Sequence, residues 1–242
     1  MVQQLSKKEV FYPDSDGQPM ADNTKQFQWI VDIKENLEAI FAADPNVFVA
    51  GDLLWYPVEG SNTIRRAPDA MVAFGRPKGD RGSYMQWKED NIAPQVVFEV
   101  LSPGNRQGEM AKKFQFYQRY GVQEYYVYDP DNIEFTGWQR VGHYLEVIED
   151  IQDWVSPLLQ IRFVLTPDTL KIYRPDGEPF LSLTDTRKER DQAKQERDQA
   201  QQERDQAQQE RNQAQQERDQ AQQKAEQLAA RLKELGIDPT DV

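Results

Sequence analysis

A mixed α/β domain followed by a long helical tail is the architecture this sequence predicts, and three observations carry the prediction. Helix-like and strand-like periodicities alternate from Thr24 to Tyr173, the pattern of a mixed sheet with helices on its faces. All 11 Phe, 10 Tyr and 5 Trp lie at or before Phe180, so side chains large enough to fill a core stop there. Beyond Arg187 a seven-residue unit repeats, and a segment without large apolar residues cannot offset the entropy of ordering a globule. The expected divisions are a flexible segment over 1–19, the α/β domain over 20–183 and a heptad-repeat helical tail over 184–242.

Within the domain, Phe27, Ile30, Val31, Leu37, Ile40 and Phe41 fall at mostly helical spacing, predicting an amphipathic helix over 24–41 that ends at Asp44-Pro45. Val47 to Tyr56 reads as one strand and 69–74 as the next. The loop 75–82 carries three glycines and three cations. A short apolar run over 96–101 reads as a buried strand that stops at Ser102-Pro103-Gly104-Asn105. Glu109 to Tyr120 turns helical, with Gly121 placed as its C-terminal stop. Strand 123–129 follows, then a hairpin over 133–148 around Val141-Gly142. One last short strand, at 161–165 or 170–173, closes the domain.

In the tail, Ala193, Ala200, Ala207, Ala214 and Ala221 recur in register. With alanine and leucine at position d, position a becomes Arg190, Arg197, Arg204, Arg211, Arg218, Ala225 and Leu232. That is a coiled-coil frame with a poor seam over most of its length. The tail is either an oligomerisation arm or a solvated single helix; only Leu228, Leu232 and Leu235 make a stripe suited to a partner. Homo-oligomerisation therefore stays open.

Composition removes several chemistries. With no cysteine and one histidine, disulfide frameworks, thiolate zinc sites and Cys–His nucleophiles are excluded. His143 has no Gly-x-Ser-x-Gly turn to serve and reads as a hairpin residue. Catalysis must run on carboxylates, lysine, hydroxyls or a hard metal ion. The start of the chain shows no signal-peptide pattern and no span suits a membrane, so a cytoplasmic location is expected. The net charge of −12 argues against a wholly basic nucleic-acid surface. Any basic surface must be local, around Arg65-Arg66 or around Arg76, Lys78 and Arg81.

Three ionisable residues sit where their surroundings make a charge hard to explain. Glu99 interrupts Val96-Val97-Phe98-Glu99-Val100-Leu101, and a buried glutamate is costly without a cation. Asp69 opens the neighbouring strand after Ala67-Pro68. Lys113 lies at i+3 from Met110 and four residues before Tyr117, on the apolar stripe of its helix, whereas Lys112 falls on a wetter flank. Two carboxylates on neighbouring strands are ligands for Mg²⁺, or Mn²⁺ in its place, and such an ion polarises a phosphoryl oxygen and acidifies a bound water. A lysine beside them would orient that water. The bland alternatives are a strand-end glutamate, a turn aspartate and a snorkelling lysine.

Ala67-Pro68-Asp69, the run from Ile92 through Phe98-Glu99-Val100-Leu101-Ser102-Pro103, Glu109-Met110 with Lys113, and Phe116-Tyr117 through Tyr120-Gly121 to Asp129-Pro130 together resemble the Uma2 family. That family is abundant in cyanobacteria and falls within the PD-(D/E)XK nuclease superfamily. The resemblance covers about 20–175 and implies a restriction-endonuclease-like core, Mg²⁺ dependence and cleavage of nucleic acid, with DNA the expected substrate. By motif, Asp69 would be the PD aspartate and Glu99 the acidic member of (D/E)XK. The match departs two residues after Glu99, where Leu101 replaces lysine; Lys113 on the following helix would take that role. An acidic residue of the first helix often joins such sites, and Glu35 and Glu38 both qualify. The rival reading is an inactive nuclease-fold scaffold that assembles through its tail. A weaker one is a sugar- or nucleotide-phosphate hydrolase.

Overall fold

The computed structural model describes residues 10–15, 17–104 and 107–234. The expectations for residues 1–9, Asn105 and Leu235 lie outside that set. Contacts divide the chain after Leu183. Among the described residues no helix is long and apolar enough to cross a membrane.

Helix α1 (Thr24–Ile40) starts where Asn23 accepts a hydrogen bond from the Gln26 amide at 2.8 Å. Such a cap contributes about 1 kcal/mol. Ile30, Ile33 and Leu37, at i, i+3 and i+7, are its buried stripe. Strands β1 (Val47–Ala50), β3 (Ala70–Phe74), β5 (Val96–Val100), β6 (Glu124–Asp129), β7 (Glu134–Val141) and β8 (Tyr144–Val147) form one mixed sheet in the order β1-β3-β5-β6-β7-β8. Within this sheet β5 and β6 alone pair in parallel, and helix α2 (Gln107–Tyr120) is the crossover that such a pair requires. It stops at Gly121, whose φ of +95° suits a residue without Cβ.

Strand alternation separates two cores. Val96, Phe98 and Val100 point with Val72 and Val49 toward α1, while Val97 points with Met71 and Ala73 toward Phe116, Tyr117 and Tyr125. That parity puts odd-numbered residues of β3 and β5 beneath α2.

Two elements differ from expectation. The 47–56 strand breaks at Gly51-Asp52, because Asp52 takes φ +47° and its amide bonds the carbonyl of Pro68 at 3.0 Å. The remainder, β2 (Trp55–Tyr56), pairs in parallel with β4 (Tyr84–Met85). Both candidate closing strands form, as β9 (Arg162–Leu165) and β10 (Leu170–Tyr173), and they pair with each other in a separate two-stranded sheet. Part of the segment expected to be flexible lies on the domain. Tyr12 packs against Tyr56 and Trp87, and the Pro13 carbonyl accepts the Tyr56 hydroxyl at 2.6 Å.

In the second unit, helix α3 (Leu183–Glu234) runs 52 residues without interruption, roughly 78 Å at 1.5 Å per residue. Glutamines bond acidic or amide side chains one turn on, as in Gln192–Glu196 and Gln208–Asn212. Leu228 is exposed.

Two outcomes follow for the fold. A Cβ on Gly137 would meet the tips of Ile151, at 2.7 Å, and Ile148, at 3.0 Å, and the Tyr126 ring at 3.0 Å. Gly137→Val is therefore expected to destabilise the domain by about 1–3 kcal/mol in urea unfolding, with an unchanged m-value. In the tail, five successive arginines at position a would face their own kind in a symmetric coil. Truncation after Thr186 is expected to leave the oligomeric number in light scattering unchanged; a fall would establish the tail as the assembly arm.

Candidate active site

Register alone brings the carboxylates together. Strands β3 and β5 are antiparallel with Ala70 opposite Phe98, and one further step along that ladder sets Asp69 opposite Glu99. Residues directly opposite share a face, and both belong to the odd-numbered set beneath α2. Asp69 and Glu99 are buried, at 7% and 2% exposure.

Helix α2 supplies the partners. Lys113 Nζ donates to Glu99 Oε2 at 2.6 Å, and the Tyr117 hydroxyl, one turn on, donates to Oε1 of the same carboxylate. The i, i+4 spacing explains why one glutamate takes both. Tyr117 in turn stacks on Trp55 with ring centroids 6.4 Å apart, so an apolar wall fixes the hydroxyl. Asp69 Oδ2 accepts the Val100 amide at 2.6 Å, and the Val100 carbonyl accepts Gln26 Nε2 of α1 at 2.7 Å. The three residues singled out from sequence therefore occupy one location, and the ammonium comes from α2 rather than from position 101.

The charges do not balance: two buried carboxylates share one ammonium. Burial, with the neighbouring Glu99 charge, pushes the Asp69 carboxyl well above its usual range, although Lys113 and the Val100 amide pull the other way. Burial opposes the Lys113 ammonium, but Glu99 and Asp69 outweigh it and its pKa is raised. Lys113 is thus a fixed cation at neutral pH. Burial and the Glu99 charge likewise keep the Tyr117 hydroxyl protonated.

Two neighbours of the site, and one buried carboxylate on the other face of the sheet, escaped the sequence reading. Asp52 extends the β1–β3 register to lie opposite Asp69, bonds its backbone, and adds to the negative field there. The signal was Gly51-Asp52 interrupting an apolar run. Tyr125, on β6 beneath α2, holds a buried hydroxyl with no hydrogen-bond partner among the described residues, and its pKa is raised by burial, Glu99 and Asp69. Glu124 is buried too, but it accepts the Leu158 amide at 2.9 Å and the hydroxyls of Ser156 and Tyr126. No periodicity distinguished it.

Glu35 and Glu38 both bind Lys34 Nζ at 2.9 Å and line a cavity of about 370 Å³ beside β1, whose lining includes neither Asp69 nor Glu99. Neither first-helix glutamate reaches the pair. Among the described residues no group of three or more His, Asp or Glu side chains is clustered tightly enough to hold a metal. The donor set available to a cation is the Asp69–Glu99 pair. A hard divalent ion that keeps most of its waters suits such a set. It would offset the negative charge of the pair, beside which the Tyr125 hydroxyl stands buried without a partner among the described residues.

The mixed sheet and its crossover helix make an α/β domain. Residues 15–168 match the Uma2 family, described as "Putative restriction endonuclease", and the chain belongs to that family. A crystal structure of "a putative nuclease belonging to DUF820" from Anabaena variabilis ATCC 29413 is similar, with 17% identity, a TM-score of 0.43, and coverage of 58% of this chain and 74% of that one. No curated protein matches the chain.

The charge imbalance is measurable. A carboxyl with a raised pKa binds more protons folded than unfolded between the two values, so stability is fullest below the ordinary value of 3.8 and falls as pH climbs through that window. Asp69→Asn is expected to melt higher than wild type at neutral pH in EDTA, with the difference shrinking toward pH 4. Equal melting temperatures at both pH values would show that Asp69 carries no such strain.

Proposed function

We propose that the chain is a Mg²⁺-dependent endonuclease, with Mn²⁺ able to substitute, that hydrolyses phosphodiester bonds of nucleic acid, DNA first among them. The observation that carries this reading is the pair of buried carboxylates, on adjacent strands and one face, that share a single lysine. Asp69 and Glu99 hold the ion, which when bound polarises the phosphoryl oxygen and acidifies a water. Glu99 is held at both oxygens, by Lys113 and Tyr117, so its position is set before substrate arrives. Lys113 stays protonated and is not the base. It donates to the attacking water and offsets charge that builds on the phosphoryl oxygens. The departure at Leu101 is compatible with this, because Lys113 delivers its ammonium to the same carboxylate from the helix.

Plasmid nicking in Mg²⁺ or Mn²⁺ tests the assignment. Glu99→Ala and Asp69→Ala are each expected to lower the rate by about 10²-fold or more, and Lys113→Ala by a comparable factor. Nicking that survives Glu99→Ala would remove the reading. A folded wild-type chain that never nicks would leave the non-cleaving scaffold.

A further inference from the structure

Several cations outside the carboxylate pair are already neutralised. Lys25 pairs with Asp131, Lys34 with Glu35 and Glu38, and Arg162 with Asp153. Arg76 and Arg81 both bind Glu89, so the loop expected to offer basic surface is largely spent. Four other cations differ. Arg65, Arg66, Lys112 and Arg119 line one cleft of about 340 Å³, formed by α2 and the segment before β3. No acidic side chain lines this cleft, and none of the four makes an ion pair among the described residues.

The cleft adjoins the carboxylate site through the chain itself. Arg66 precedes Asp69 by three residues, Lys112 directly precedes Lys113, and Phe116 directly precedes Tyr117. On α2 one stripe turns toward Glu99 and the next turns toward the cleft. The two share a wall, since Trp55 packs on both Phe116 and Tyr117 and bridges Arg66 through its backbone. The Arg66 guanidinium lies over the Phe116 ring at 5.5 Å, and that of Arg119 over Tyr120 at 5.7 Å. Ring contact steadies a guanidinium while leaving donors for an anion.

A carboxylate-free concavity with four unpaired cations, in a chain of net charge −12, focuses a local potential opposite to that of the body. We propose that it seats the sugar–phosphate backbone beside the scissile bond. This rests on the nuclease reading and extends it by naming the surface and the chemistry it grips. Contact is made by charge, without groups arranged to read base edges, so binding is indifferent to sequence.

Fluorescence anisotropy of the full-length chain in EDTA, with a labelled short DNA duplex and the matching single strand, tests this. Four phosphate contacts on duplex predict a slope of about −3.6 for log K against log salt, and each cation removed flattens it by about 0.9. Lys112→Gln with Arg119→Gln should weaken binding several-fold at low salt and flatten the slope by about 1.8. Lys88→Gln with Lys171→Gln, exposed cations elsewhere, should change neither. The probe bound more tightly identifies the form of backbone the cleft accepts. No binding to either probe, an unaffected Lys112/Arg119 variant, or an equal loss in the control pair overturns the proposal. Nicking assays run in parallel keep the two readings apart. Cleft-dependent binding without nicking retains the cleft and removes the nuclease. Nicking that is unchanged by loss of Lys112 and Arg119 does the reverse.

Discussion

Burying two carboxylates against one ammonium is the constraint around which this domain is organised. An unpaired buried charge is expensive, and removing one partner of such a group leaves the penalty behind. Glu99 escapes most of it by taking Lys113 and Tyr117. Asp69 keeps a single backbone donor, and its raised pKa registers what remains. Glu124 shows what a purely structural solution looks like in the same sheet. It is as deeply buried as Glu99, and three hydrogen bonds from Leu158, Ser156 and Tyr126 hold it without any cation, although burial still raises its pKa. Asp69, with one backbone donor, is the less completely satisfied of the two.

The geometry of that place comes from elements whose packing serves both purposes. Val100 is the junction: its amide holds Asp69 on one side of β5, and its carbonyl holds Gln26 of α1 on the other. Parallel pairing of β5 and β6 forces the chain through a crossover, and the crossover helix lands Lys113 and Tyr117 over Glu99. Trp55 closes the wall behind Tyr117 only because the chain turns at Asp52 instead of continuing as one strand. Sites built on helices and strands hold their side chains more closely than sites on loops. Here every named side chain except Asp52 and Asp69 projects from a regular element, and Asp69 is one residue from β3.

Legibility in the sequence followed the range of the forces involved. The strand around Glu99 and the stripe that carries Lys113 were readable because period and local polarity conflict within a few residues. Alternation also predicts a shared face once strands are paired, but nothing local says which strands pair or in what register. Asp52 showed locally only as a break in an apolar run: its place beside Asp69 comes from the antiparallel pairing of β1 with β3 and the backbone bond just past its end. The split of the 47–56 run had the same origin, since the partner of Trp55-Tyr56 lies at Tyr84-Met85. Neither first-helix glutamate could be chosen from helical spacing, and both are held by Lys34 away from the pair. Glu124 was missed because it opens its strand, where polar residues are ordinary.

An acidic body and a polyanionic substrate are compatible if charge is judged locally. At physiological ionic strength the screening length is about 8 Å, so exposed carboxylates farther than that from a bound phosphate contribute little repulsion. Near the cleft stand the exposed Glu109, one turn before Lys113, and four cations that no carboxylate among the described residues pairs. The repeating tail places Arg beside Glu, and no heptad from 187 to 221 carries more than one net charge of either sign. What remains is a short basic strip beside the buried carboxylate pair in an otherwise acidic chain. Such a distribution disfavours indiscriminate coating by polyanions and confines attraction for them to that strip.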